Sequence, residues 1–198
     1  MTAVIASSTA MTALNASDQA VRIWMLAGTN QVYSSFANVA AVAASSTAMT
    51  AVAASSTAMT AVAASSTAMT AVAASSTARL AVFNSDTALT AIAGSATAIT
   101  TIKAAPTYVI NSTASVGSTA ITTTLSGNYI MVGWSDSVAN TTTTITGKKA
   151  GSTVGTLAGT SIAVGSTAAT NNIMPLTSPV TVKIDSANTT VYLGVLPV

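Results

Sequence analysis

The ten residues AVAASSTAMT occupy positions 41–50 and return without change at 51–60 and 61–70, and a fourth copy, AVAASSTARL, fills 71–80. Set in register on its serine, the unit reads SSTAMTAVAA from Ser45, Ser55 and Ser65, SSTARLAVFN from Ser75, SDTALTAIAG from Ser85 and SATAITTIKA from Ser95. Earlier copies start at Ser7 and Ser17, and an unfinished one, APTYVI, starts at Ala105. The varied copies explain the identical ones. Position one is Ser, which caps a helix by accepting from a backbone N–H two or three residues on. Position two is Ser, Asp, Ala or Pro. That set suits the first helical turn, where a missing N–H costs nothing and a carboxylate such as Asp86 or Asp18 faces the positive end of the dipole. Position ten is Ala, Asn84 or Gly94, and Asn and Gly tolerate the left-handed residue that ends many helices.

The unit is therefore predicted to be a helix of about two turns. Its caps are Ser45, Ser55, Ser65, Ser75, Ser85 and Ser95, and its buried stripe is Met49, Val52, Met59, Val62, Met69 and Val72. One continuous helix is the competing model. At about 100° per residue, ten residues would rotate that stripe by about 80° per repeat, whereas a heptad drifts by only about 20°. Breaks that reset the face solve this better than any supercoil. A two-turn helix does not hold itself together in water, because nucleation is costly and few bonds repay it. Stacked units cover one another's stripes, and cover by sister chains in a homo-oligomeric bundle is the expectation.

The chain has 198 residues, half of them apolar and many of those alanine. Six basic and four acidic residues give a net charge of +2, too thin and too scattered for an electrostatic grip on nucleic acid. High hydropathy with low charge is the reverse of a disordered composition. Cys and His are absent, so thiolate and imidazole metal sites do not exist. The N-terminus lacks a basic n-region, which argues against a cleaved signal. Ser, Thr or Asn interrupts every stretch long enough to cross a bilayer, so no membrane insertion is expected.

After about residue 107 the composition turns to Thr, Val, Ile and Gly. Runs such as AITTTLSGNYIMVGW, TTTTITGKKAG and PVTVKIDSANTTVYLGVLPV have the alternation and turn residues of strands, with Pro175 and Pro179 placed between runs. The expected fold class is mixed and segregated, an elongated rod of short helices followed by a small antiparallel β sandwich or barrel. Three regions follow: a degenerate N-terminal attachment segment at 1–40, the decapeptide rod at 41–106 and a β-rich domain at 107–198. NSTASVGSTA at 111–120 reads as a linker or first turn, and the echo AVGSTAAT at 163–170 as compositional drift.

This layout resembles the fibre and appendage proteins of tailed bacteriophages, in which Ala/Ser/Thr-rich tandem units close to ASSTAMTAVA lead to a compact β-rich end. The repeat likeness covers residues 1–106. NYIMVGWSDS through VYLGVLPV is similar to phage fibre tips. The resemblance implies a virion structural protein assembled in the host cytoplasm. It also implies a homotrimer, with one end held by other virion proteins and the other free to meet a host surface receptor.

The inventory argues against an enzyme. No His or Glu is present, the four Asp are scattered, and nothing in the sequence sets Lys148 or Lys149 beside a special Ser. No cofactor is expected, and no metal, since Asp136 and Asp185 lack the spacing of a calcium loop and suit turns instead. GSTVGTLAG at 151–159 lacks the order of a phosphate loop. Trp134 reads as core. Arg22, Trp24, Tyr33 and Phe36 break the monotony of the repeat and are candidate docking residues, with plugging of the bundle end as the plain alternative. Two other functions stay open. One is an adhesin stalk, and the other is an ice-binding array of Thr57, Thr60, Thr67 and Thr70, which needs the helix breaks to keep those residues on one face.

Overall fold

The computed structural model describes residues 2–114, 121–136, 143–155, 170–184 and 190–198, and the chain divides into two compact units, Met1–Thr107 and Tyr108–Val198. The candidate linker residues 115–120, most of the echo at 163–170, and Asp185 lie outside the described residues.

The first unit contains ten short α-helices: α1 (Thr2–Ile5), α2 (Ser8–Asn15), α3 (Asp18–Met25), α4 (Val39–Ala44), α5 (Ser46–Ala54), α6 (Ser56–Ala64), α7 (Ser66–Ala74), α8 (Ser76–Phe83), α9 (Asp86–Ala93) and α10 (Ala96–Ala104), with a 3-10 turn at Tyr33–Ser35. In α5 to α10 the position-one Ser stands outside the helix in extended conformation, and its Oγ accepts from the N–H of the position-four Ala at 3.1–3.2 Å. Nine helical residues make about two and a half turns. The axis bends by 101° between α5 and α6.

The left-handed ending expected at position ten is not used. Asn84 (φ −87°, ψ −3°) and Gly94 (φ −80°, ψ −2°) are right-handed, and Ala54 and Ala64 are the last helical residues of α5 and α6. One extended Ser turns the chain instead. Its own N–H closes the previous helix on the position-eight carbonyl, as Ser55 does on Val52 at 3.1 Å, so no further residue is needed to leave the helix.

From α3 on, repeated corners coil the chain so that each helix lies against the helix three further on: α3 on α6, α4 on α7, α5 on α8, α6 on α9, α7 on α10. Positions four, five, eight and nine point inward. Met49, Val52, Met59, Val62, Met69 and Val72 are all buried, together with Ala48, Ala58, Ala68 and Ala78. This corrects the ground for a multichain bundle. The stripe is covered by neighbouring coils of one chain, because a corner of about a third of a circle brings the chain back onto itself every three helices. The boundary expected near residue 40 is absent too. Residues 1–40 share the unit of residues 41–106, and α3 lies against α6.

The described residues of the second unit form strands joined by turns: β1 (Val109–Ala114), β2 (Ile121–Leu125), β3 (Tyr129–Asp136), β4 (Thr143–Ile145), β5 (Thr170–Leu176), β6 (Val180–Ile184) and β7 (Thr190–Pro197). They form antiparallel sheets ordered β1-β7-β3-β5 and β2-β6-β4. One apolar cluster joins them, with Met131, Trp134, Met174, Leu193 and Val195 from the larger sheet and Ile145, Val180, Val182 and Ile184 from the smaller. Residues 111–114, expected as a linker or first turn, belong to β1. Pro175, expected between strands, lies inside β5, where an edge position tolerates the missing donor. A Cβ at Gly194 would overlap the Tyr108 hydroxyl, so the glycine makes room for that ring on β7, and burial raises the Tyr108 pKa above its ordinary value.

Candidate functional site

The most regular polar feature of the first unit is a ladder between coils. The last carbonyls of a helix have no partner within it. The position-one N–H takes a carbonyl at position seven or eight, which leaves the buried position-nine carbonyl open. It is filled from the next coil. The Ser75 hydroxyl donates to the Ala43 carbonyl at 2.7 Å, Ser85 to Ala53 at 2.5 Å and Ser95 to Ala63 at 2.6 Å. Each rung spans thirty-two residues. At the C-terminal end Ala105 stands where a Ser would, and Thr107 supplies the hydroxyl instead, donating to the Ala73 carbonyl at 2.9 Å.

The ladder begins on side chains that depart from the repeat. Asn15 holds position nine of the first copy, where most copies have Ala. Its Oδ1 accepts from the Ser65 hydroxyl at 2.5 Å and its carbonyl from Thr67 Oγ1 at 3.1 Å. Ser65 is fully buried. A non-Ala residue at position nine was the available sequence signal, and reasoning from caps and stripes passes over it.

Of the four candidate docking residues, Arg22 and Trp24 are engaged through their side chains and Tyr33 and Phe36 through their backbone carbonyls. Trp24 Nε1 donates to the Ala61 carbonyl at 2.7 Å, so the indole holds α3 against α6. Arg22 donates from Nε to Asp18 Oδ2 at 2.8 Å and from its terminal nitrogen to the carbonyls of Tyr33 and Phe36. Asp18 Oδ1 in turn accepts from the Val39 N–H at 2.9 Å and sets the start of α4. Asp18 therefore fixes a chain entry as well as standing in the first turn of its helix. Arg22 and Trp24 are half-buried. Tyr33, Ile23 and Val32 are exposed, and Phe36 is partly covered. Arg22 and Trp24 thus tie α3 and the segment after it into the helical unit, and the Tyr33 ring is left exposed.

An open groove of about 750 Å³ runs beside α2, lined by Ile5, Met11 and Ala63 and by Asn15, Thr60 and Thr90, with no titratable side chain along it. In the second unit Lys148 Nζ donates to the Gly155 carbonyl at 2.5 Å. Gly151 and Gly155 have φ of +78° and +77°, and residues 156–159 of that stretch lie outside the described residues. Among the described residues no group of three or more acidic side chains comes together to hold a metal. No described helix is long and apolar enough to cross a membrane. No protein-family model matches the chain, and no curated protein matches it significantly. The described hydroxyls of Ser65, Ser75, Ser85, Ser95 and Thr107 are held in internal hydrogen bonds.

Proposed function

We propose that this chain is a non-enzymatic structural protein of a bacteriophage particle, a fibre or appendage component. In this reading the helical unit is a spacer and the β-rich unit makes the contact with a host surface or a neighbouring virion protein. The observation that carries the spacer reading is the ladder. A rung every ten residues, with the same donor, acceptor and separation, lets one unit be repeated to reach a distance rather than to shape a cavity. The virion setting is carried by the resemblance of the repeats and the β-rich end to phage fibre proteins. Assembly as a homotrimer is carried by the same resemblance alone, because the apolar stripe is already covered within one chain. Antibody labelling of purified particles in electron micrographs tests the reading. Label on surface projections is expected, and a chain absent from purified particles overturns it.

One observation favours a second reading, ice binding. Thr60 on α6 lines one open groove with Thr87 and Thr90 on α9, whereas Thr67 and Thr70 of the expected array donate to the Asn15 and Ser66 carbonyls at 3.1 and 2.8 Å. Thermal hysteresis of the purified protein decides between the readings. Its absence leaves the spacer.

A further inference from the structure

The buried face of the helical unit asks for a pattern rather than for particular residues. Position five is Met49, Met59 and Met69 in the identical copies, yet Leu89 and Ile99 are buried at the same place in α9 and α10. Position eight is Val52, Val62 and Val72, yet Ile92 and Ile102 serve equally. Position two is Ser in α5 to α8, Asp86 in α9 and Ala96 in α10, and the cap bond is unchanged. Cores accept swaps of similar volume at small cost. Letter-for-letter identity across residues 41–70 therefore exceeds what packing demands, and it is what the copying of whole units leaves behind.

The bonds that close the unit are written in relative position, so they survive such copying. With one decapeptide added after Thr50, the hydrogen bonds of the N-terminal segment to the coil still meet identical groups. Asn15 finds a position-one Ser and a position-three Thr in a copy indistinguishable from the present α7, and Trp24 finds the same position-seven carbonyl. Every later Ser again stands thirty-two residues after a position-nine carbonyl, Thr107 still reaches Ala73, and one rung is added. Loss of a copy is not equivalent. It would move Arg79, which now donates to the Ala73 carbonyl at 2.7 Å, into the buried place of Met69. We infer that residues 41–70 are a length register open to gain. Each added decapeptide becomes one more helix and one more rung, and three added copies make one more full coil, with both ends of the unit unchanged.

The use of such a register rests on the spacer reading, but its test does not. The full-length chain is prepared with one extra AVAASSTAMT after Thr50, with three extra copies, and with a half copy, AVAAS, as the out-of-step control. Far-UV circular dichroism is expected to gain the signal of nine helical residues per whole copy, with a melting temperature no lower than the parent's. The half copy should melt at least about 8 °C lower, because it stretches the Ser75–Ala43 rung to thirty-seven residues and moves Ser65 and Ala61 out of step with Asn15 and Trp24. Whole copies that melt as low as the half copy overturn the inference, and so does a half copy that melts with the parent. These measurements are made on the purified chain, so their failure leaves the virion reading standing, and a chain absent from particles leaves the register standing.

Discussion

The Ser85 hydroxyl donates to the carbonyl of Ala53, thirty-two residues back along the chain, while the same oxygen accepts from the Ala88 N–H at 3.2 Å and caps α9. One side chain thus satisfies an orphan donor at the start of its own helix and an orphan acceptor at the end of another. Ser45 performs only the first task, toward the Ala48 N–H. Removing a cap costs about 0.5–2 kcal/mol, and leaving a buried carbonyl unpaired costs about 1–3 kcal/mol more. Ser85→Ala should therefore lower stability by at least about 1 kcal/mol beyond Ser45→Ala. Chemical denaturation followed by far-UV circular dichroism measures the difference, and equal losses would show that the ladder adds nothing.

Because Met49, Met59 and Met69 are each fully buried within a single chain, the helical unit should stay folded on dilution. Anything that binds only the folded state makes the melting temperature depend on concentration, and a partner subunit is such a ligand. The expected result is a helical transition whose midpoint does not move over a hundredfold dilution, with a helical species at monomer mass in sedimentation equilibrium. A midpoint that falls with dilution would return the cover of the stripe to sister chains.

The Arg22–Asp18 pair is half-exposed, with side-chain accessibilities of 15% and 48%, and such pairs contribute little by charge alone. What Arg22 adds is a planar fork that also serves the carbonyls of Tyr33 and Phe36, which a lysine cannot copy. Arg22→Lys should destabilise the helical unit nearly as much as Arg22→Met, and added salt should change the wild type little. Trp24 reports on this unit by fluorescence once Trp134 is replaced by Phe. A lysine variant as stable as wild type would reduce the contact to simple charge.

In the β-rich unit Gly147 sits at φ +98°, and a Cβ there would lie 2.9 Å from the carbonyl oxygens of both Thr177 and Pro179. Those are backbone atoms and do not swing aside. Gly151 has φ +78° with nothing near its missing side chain, so alanine there meets only the conformational penalty. Gly147→Ala should cost more than Gly151→Ala by about 1–3 kcal/mol, read from Trp134 fluorescence in denaturant. Equal midpoints for the two variants would mean the turn has room.

The helix caps, the place of each corner and the inward stripe are local matters, and the ten-residue unit declares them. A Ser in extended conformation before an N–H three residues on is decided by neighbours in sequence, and so is the apolar spacing of Met59 and Val62. The strand-rich character after residue 107 is equally local, being a change to β-branched residues and turn glycines. The sequence does not say what lies across from the stripe. A repeat of identical units has identical neighbours whether the next coil comes from the same chain or from another. The choice depends on the corner angle, which one Ser sets through ψ and the sequence leaves open. The second bond of Ser85 is hidden for the same reason, since its acceptor is an ordinary alanine carbonyl that becomes special only when the coil returns to it. Trp24 and Asn15 stand out as departures from the repeat, and sequence alone marks them as exceptions. Only the coil, by bringing α6 and α7 against them, gives Trp24 the Ala61 carbonyl and Asn15 the Ser65 hydroxyl.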